Sequence, residues 1–235
     1  MQISDKRLPP KPSLQIHPDT LVREPLFCQG VALAIAIWAD IEARLDGIFI
    51  AMVRDEDRFR EFRDAKGWGK RSELFVEAVR SVKGGDVAIE VKAILAEVSV
   101  SAKLRNELAH GIWASCKEAP GTLALLGSEM YTEAIVQALE AEAAASPKML
   151  FDERKLLKSA RLIELSQLQE AVAVLFAARN LIHTFMIEAM PDIVYVHGRN
   201  ELGRAKDHPG VTGRVINAKR SLKSVARKKA RLDEA

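Results

Sequence analysis

Arg105, Asn106 and His110 stand within six residues of one another in the stretch "RNELAHGIW". Their types could carry out proton transfer beside an anion. A histidine titrates near neutrality and can take or give a proton. An arginine presents a rigid fork of N–H donors that stabilises charge on phosphoryl oxygens. An asparagine can orient either the anion or the imidazole. On a helix, residues four apart share a face, which places Asn106 and His110 together. The long side chain of Arg105, one position back, reaches the same volume.

The elements that would hold these residues are helical by composition. Five prolines fall before residue 26, and the next is Pro120. So long a proline-free stretch, rich in Ala, Leu, Glu, Lys and Arg, favours helices. The first long helix is expected over about 25–54, with Val31, Ile35, Trp38, Leu45, Phe49 and Met52 forming an apolar stripe broken at Glu42. "DEDRFREFRDAKGWG" reads as a short charged helix closed by Gly67 and Gly69. Another short helix runs from Arg71 to Val82 and ends at Gly84-Gly85. A second long helix, from about Asp86 to Gly111, carries the stripe Val91, Ile94, Val98, Ser101, Arg105, Leu108 and Ile112. Arg105 thus falls on an apolar stripe, and Glu42 falls at the gap in the other. Each buried charge needs a partner, so the two are expected to pair across packed helices.

After the motif the texture changes. "IWASCKEAPGTLALLG" places Pro120-Gly121 between two short apolar runs and reads as a small hairpin. "EMYTEAIVQALEAEAAAS" has helical composition with a possible strand at its start. "SQLQ" at Ser166–Gln169 fits a capping box and opens a third long helix, to Met190, stopped by Pro191. The expected architecture is mainly α. It comprises an extended arm over 1–20, a helical domain with a hairpin insertion over 21–198, and a basic, disordered or conditionally ordered tail over 199–235.

Hydrophobic residues make up 48% of the 235 positions and charged residues 29%, with a net charge of +3. A sizeable core is affordable in a soluble chain. Charge is uneven: the segment from Arg199 onward carries eleven Lys/Arg and four Asp/Glu. A mildly acidic body thus bears a basic end. Cys28 and Cys116 match no zinc or redox spacing and read as reduced thiols of a cytoplasmic protein. The longest apolar run, Val31 to Ala39, ends at Asp40 and is about half of what a bilayer span needs. The first residues contain no apolar signal core. Neither membrane insertion nor export is expected, nor is a metal or other cofactor.

The arginine, the polar residue that follows it and the histidine four residues beyond that resemble the Arg–four-to-six–His signature of HEPN domains (higher eukaryotes and prokaryotes nucleotide-binding). "WADIEARLDGIF" on the first helix supports the likeness, which covers roughly residues 26–114, with the helix at 166–190 a possible addition. The resemblance implies a helical bundle with the motif late in one long helix. It also implies a metal-independent endoribonuclease of toxin or phage-defence type, acting on RNA by attack of the 2′-hydroxyl on the adjacent phosphorus. Arg105 would stabilise the phosphoryl charge, His110 would move protons, Asn106 would orient and Glu42 would support Arg105. One histidine per chain is thin for both acid and base, so a homodimer that sets two motifs across one cleft is implied, with an antitoxin or other defence protein as a possible further partner. A subgroup of the family has a modifiable tyrosine two residues after the histidine. Ile112 stands there, so that regulation does not carry over. The competing reading is a non-catalytic binding or dimerisation module in which the same residues form a structural polar network.

Other features are weaker. Arg179, Asn180 and His183 in "RNLIH" echo the motif with three intervening residues, and read as structural or surface positions with a contribution to a dimer cleft as the sharper alternative. His17, His197 and His208 match no metal spacing. Gly67 and Gly69 match no phosphate-binding fingerprint. In the basic tail, Lys219, Arg220, Lys223, Arg227, Lys228 and Lys229 could attract nucleic-acid phosphates. Without an aromatic residue beside them they would not read sequence.

Overall fold

The computed structural model describes residues 7–10, 12–143, 157, 160–189 and 207–233, and the side chains at 134, 137, 138, 140–143 and 222–233 are not among those described. The chain is mainly helical and carries a four-stranded antiparallel sheet in the order β1-β2-β3-β4. In chain order the elements are β1 (Leu14–Gln15), α1 (Thr20–Arg23), α2 (Pro25–Val53), α3 (Glu56–Asp64), α4 (Trp68–Lys83), α5 (Gly85–His110), β2 (Ile112–Cys116), β3 (Thr122–Leu126), α6 (Ser128–Ala143), β4 (Arg161–Glu164), α7 (Leu165–Ala189) and α8 (Pro209–Asp233). Contacts divide the chain into two units, one of residues 1–37 and 103–175, the other of 38–102 and 176–235.

The proline at the start of α2 is tolerated because a first-turn residue has no helical N–H to lose. Along α2 the buried positions Phe27, Val31, Ala34, Trp38, Ile41, Leu45 and Ile48 form an uninterrupted succession of steps of four and three, with Ile37 and Phe49 buried beside it. The stripe is therefore a heptad-like seam. Ile41 fills the position where the sequence pattern placed a gap at Glu42, and Ile35, expected inside, is 38% exposed. Helix α5 buries Val91, Ile94, Val98, Ser101 and Leu108 as its pattern requires.

The first unit is built on the sheet. The hairpin forms as expected, with Trp113 opposite Leu125 and Ala114 opposite Ala124, and the loop closes at Gly121, whose φ of +77° favours glycine. The two flanking strands were not legible: Leu14 pairs with Cys116, and Leu162 pairs with Ala124. The presumed extended arm over 1–20 thus supplies a strand. Ala114, Cys116, Ala124, Leu126, Ala160 and Leu162 share one face, against which Leu14, Met130 and Tyr131 pack. On the other face Trp113 meets Phe27 edge-on at 6.5 Å. The segment 128–143 is helix from its start, without the strand allowed for it. The cap of α7 sits two residues before "SQLQ": Glu164 N–H donates to Gln167 Oε1 at 2.9 Å.

Strand β1 is fastened by one carboxylate. Ser13 donates its N–H (2.7 Å) and its hydroxyl (2.6 Å) to Glu118. These bonds favour the ionised form, chiefly the hydroxyl bond and then the backbone one, and hold the Glu118 pKa down at about 2. A depressed carboxyl pKa gives stability that is complete above the ordinary value of 4.5 and is lost as pH falls from there towards 2. Glu118→Gln should therefore flatten the acid limb of the Tm-versus-pH curve between those values. A wild-type-like acid limb in the variant would show that the clamp contributes nothing.

The second unit is organised around aromatic rings. Phe49 and Phe62 stack at 4.2 Å, Phe75 joins both, and Phe185 reaches Phe75 at 6.4 Å. Trp38 meets Trp68 at 5.2 Å. Arg71 caps the stack, its guanidinium 4.8 Å from the Phe62 ring centre. Asp55 caps α3 by accepting from Arg58 N–H at 3.1 Å. Residues 209–233, read from sequence as part of a disordered or conditionally ordered tail, form α8. Pro209 begins it, Val211 is fully buried, and Arg214 and Lys219 pair with Glu97 (3.1 Å) and Asp86 (3.8 Å). The composition that suggested a solvated tail is also that of a good helix former, and these anchors decide between the two.

Candidate functional site

Arg105, Asn106 and His110 converge in the last turn of α5. Arg105 Nη1 donates to Asn106 Oδ1 at 2.9 Å and lies 3.5 Å from His110 Nε2. An arginine only donates, so the orientation that makes this contact favourable leaves Nε2 bare and puts the histidine proton on Nδ1. The Asn106 and His110 side chains are exposed, whereas Arg105 is half-buried. Its Nε is fully buried and has no hydrogen-bond partner. A buried unpaired donor costs about 1–3 kcal/mol, so the cluster is not optimised for stability.

Asn106 and His110 open onto a groove of about 450 Å³, which also takes in Glu107, Arg161 and Ser128. Glu107 and Arg161 pair at 3.5 Å along its wall, so one acid and one further guanidinium stand beside the histidine. Sequence reasoning missed both. Glu107 follows Asn106 directly and was legible as a groove neighbour, but Arg161 arrives through sheet pairing of β4, which no local pattern announced. Immediately after His110 the chain turns from helix into strand at Gly111. A Cβ there would collide with the Leu125 side chain and come within 2.7 Å of the Glu107 carbonyl oxygen.

Glu42 is not the partner of Arg105. Its carboxylate accepts from Arg71 Nη1 at 3.1 Å, while Arg71 Nη2 reaches Asp46 at 2.6 Å. The premise failed with the stripe: Ile41 occupies the core position, and Glu42 turns aside to α4. Burial raises the Asp46 pKa, opposed by Arg71.

The echo motif on α7 forms a second cluster. Asp40 Oδ2 accepts from Arg44 Nε at 2.9 Å and from Arg179 Nε at 2.6 Å. Arg44 Nη1 contacts His183 Nδ1 at 2.7 Å, and Arg179 Nη1 donates to Asn180 Oδ1 at 3.4 Å. Desolvation lowers the His183 pKa, and Arg44 and Arg179 push it further down against Asp40. Desolvation acts to raise the Asp40 pKa, but the two arginines together outweigh it and lower the pKa.

Of the basic positions near the C-terminus, Lys219 pairs with Asp86 and Arg220 is exposed. Lys223, Arg227, Lys228 and Lys229 lie on α8 with side chains outside the described set, and His197 lies outside the described residues. Another cavity, of about 670 Å³, is lined by α4 and α5 residues such as Trp68, Val76 and Leu95 and includes none of the motif residues. No protein-family model matches the chain, and comparison with curated proteins and with solved structures finds no significant match.

Proposed function

We propose that the protein is an endoribonuclease with a HEPN-like helical bundle, acting without a metal or other cofactor. The observation that carries this reading is the cluster of Arg105, Asn106 and His110, in which the arginine is bonded to the asparagine and in reach of the imidazole, while Asn106 and His110 line an open groove. In the proposed reaction a general base removes the proton of a ribose 2′-hydroxyl. The oxygen attacks the adjacent phosphorus, and the bond to the 5′-oxygen breaks as an acid protonates the leaving group. The products are a 2′,3′-cyclic phosphate and a 5′-hydroxyl. Arg105 offsets the charge on the phosphoryl oxygens, Asn106 holds the phosphate, and His110 serves one of the two proton transfers. The other falls to the second His110 of a homodimer. A role in toxin–antitoxin or phage-defence systems, with an antitoxin or other defence protein as partner, follows from the HEPN resemblance.

The cytoplasm is the proposed location. Helices α2 and α7 are long and apolar enough to cross a membrane by length and composition. Asp40 and Arg44 on α2, with Arg179 on α7, place charges in the middle of both, which is costly in lipid.

Incubation of the purified chain with mixed RNA and excess EDTA tests the activity. Cleavage should fall by about 10²–10⁴ in a well-folded His110→Ala variant. An intact protein that cuts no RNA, together with a lowered Tm in the variant, would instead favour a structural network in a non-catalytic module.

A further inference from the structure

The cluster on α2 and α7 has a charge surplus that its own geometry does not resolve. One carboxylate, Asp40, serves two guanidiniums, and it does so with a single oxygen that takes the Nε–H of both. Fixed by their Nε atoms, the two forks present their Nη ends away from Asp40. Arg44 donates one of these to His183 Nδ1. Because arginine has no lone pair to give, Nδ1 must be the acceptor, His183 is neutral, and its proton sits on Nε2. From its Nη end Arg179 makes a 3.4 Å contact to Asn180 Oδ1. Among the described residues neither Nη2 group has a hydrogen-bond partner. The other acids on this stretch of α2, Glu42 and Asp46, are engaged by Arg71.

Over Asp40, Arg44, Arg179 and neutral His183 the sum is one net positive charge, with a set of N–H donors: the Nη2 groups of Arg44 and Arg179, His183 Nε2–H and the Asn180 amide. The side chains of Arg44 and Arg179 are 18% and 33% exposed, so they are reachable from solvent yet partly withdrawn from it. Two guanidinium forks with surplus charge and unused donors suit a tetrahedral dianion or a phosphodiester.

We propose that Arg44, Arg179, His183 and Asn180 form a phosphate-binding site, separate from the Arg105–His110 cluster, that takes a phosphate group from an RNA backbone or from a small phosphorylated ligand. The proposal does not depend on the ribonuclease reading.

The test uses the full chain with His110→Ala, so that any RNA cutting is suppressed, and three probes: inorganic phosphate, an adenosine monophosphate and a fluorescent ten-nucleotide single-stranded RNA. Histidine ring ¹⁵N spectra, with His183 assigned from a His183→Gln variant, report occupancy at the site. At least one probe should shift the His183 signals saturably, and Arg44→Gln/Arg179→Gln should weaken that probe's binding by tenfold or more. If RNA is the source, the slope of log affinity against log salt should also fall by about 0.7 for each arginine contact removed. If the small ligands are the source, they bind without help from a longer strand. Arg179→Lys keeps the charge but loses the fork, and should weaken binding less than the glutamine. An unmoved His183 signal with all three probes, or unchanged binding in a double variant that melts like its parent, would overturn the site. Neither result bears on cleavage at His110, which is assayed separately.

Discussion

Replacing Arg105 with methionine should abolish RNA cleavage and leave the fold intact or firmer. The two halves of this expectation have different origins. The guanidinium is the only cation bonded within the motif cluster, through its Nη1 atom. Removing a preorganised donor aimed at developing phosphoryl charge typically costs 10²–10³ in rate. Stability should move the other way or not at all. Arg105 Nε is buried with no acceptor, and methionine matches the stem of arginine while deleting that unpaired donor. The relief is on the order of 1 kcal/mol, which for a chain of this length corresponds to a Tm rise of about 2–4 °C. The Nη1 bonds given up are on the exposed side, where they contribute little. A structural network makes the opposite forecast: Arg105→Met would strip Asn106 and His110 of their partner and lower the Tm. Melting curves and single-turnover cleavage on the same preparation decide the matter, and a variant that is both unstable and fully active per folded molecule would sink the catalytic role of Arg105.

The outcome at Glu42 shows how far the sequence could be read. Helix extents were legible because α2 and α5 have no internal proline and keep long apolar periodicity. Their facing was harder to read. A stripe stepping through Val31, Ile35 and Trp38 is as regular on paper as one through Val31, Ala34 and Trp38, and only packing selects the second. Alanine is small enough to be overlooked in an apolar count and is what allows close helix approach. Gly30 marks a similar approach, since a Cβ there would lie 2.6 Å from a Leu168 methyl. Once Ala34 and Ile41 are core, Glu42 is no longer trapped on the seam and its inferred need for Arg105 disappears.

The site divides along the same line. Arg105, Asn106 and His110 are neighbours on one helical turn, so local geometry sufficed to place them together. Arg161 and the Asp40–Arg44–Arg179–His183 cluster depend on contacts between residues far apart in sequence. Asp40 and Arg44, four apart in "DIEAR", could have been read as an i,i+4 pair. That Arg179 would join them required the packing of α7. The flanking strands β1 and β4 are two and four residues long, too short for alternation to register before their partners are known.

Gly111 links the site to the sheet, and Gly111→Val is expected to destabilise the protein by about 3 kcal/mol. The position joins the last turn of α5 to β2, with Gly111 N–H donating to Glu107 O at 3.0 Å. Its backbone dihedral is not the reason for glycine, since its φ is not positive. Space is the reason. An added Cβ overlaps the end of Leu125, which can rotate, and the Glu107 carbonyl at 2.7 Å, which cannot move without loosening the last helical turn. Gly111→Ala should therefore lose part of this stability, and Gly111→Val more, because its branched Cβ adds bulk at the same place. Trimming Leu125 to alanine in the Gly111→Ala background removes one clash and keeps the other, so it should fail to restore the Tm. His110 is the residue immediately before, and its ring must stay within reach of Arg105 for the cluster to hold. Cleavage in Gly111→Ala should thus fall further than the folded fraction alone accounts for, and the Nε2 signal of His110 should change in ¹⁵N spectra. A variant with the parental Tm and an unmoved His110 would show that the helix-to-strand junction tolerates a side chain and that the position of His110 does not depend on it.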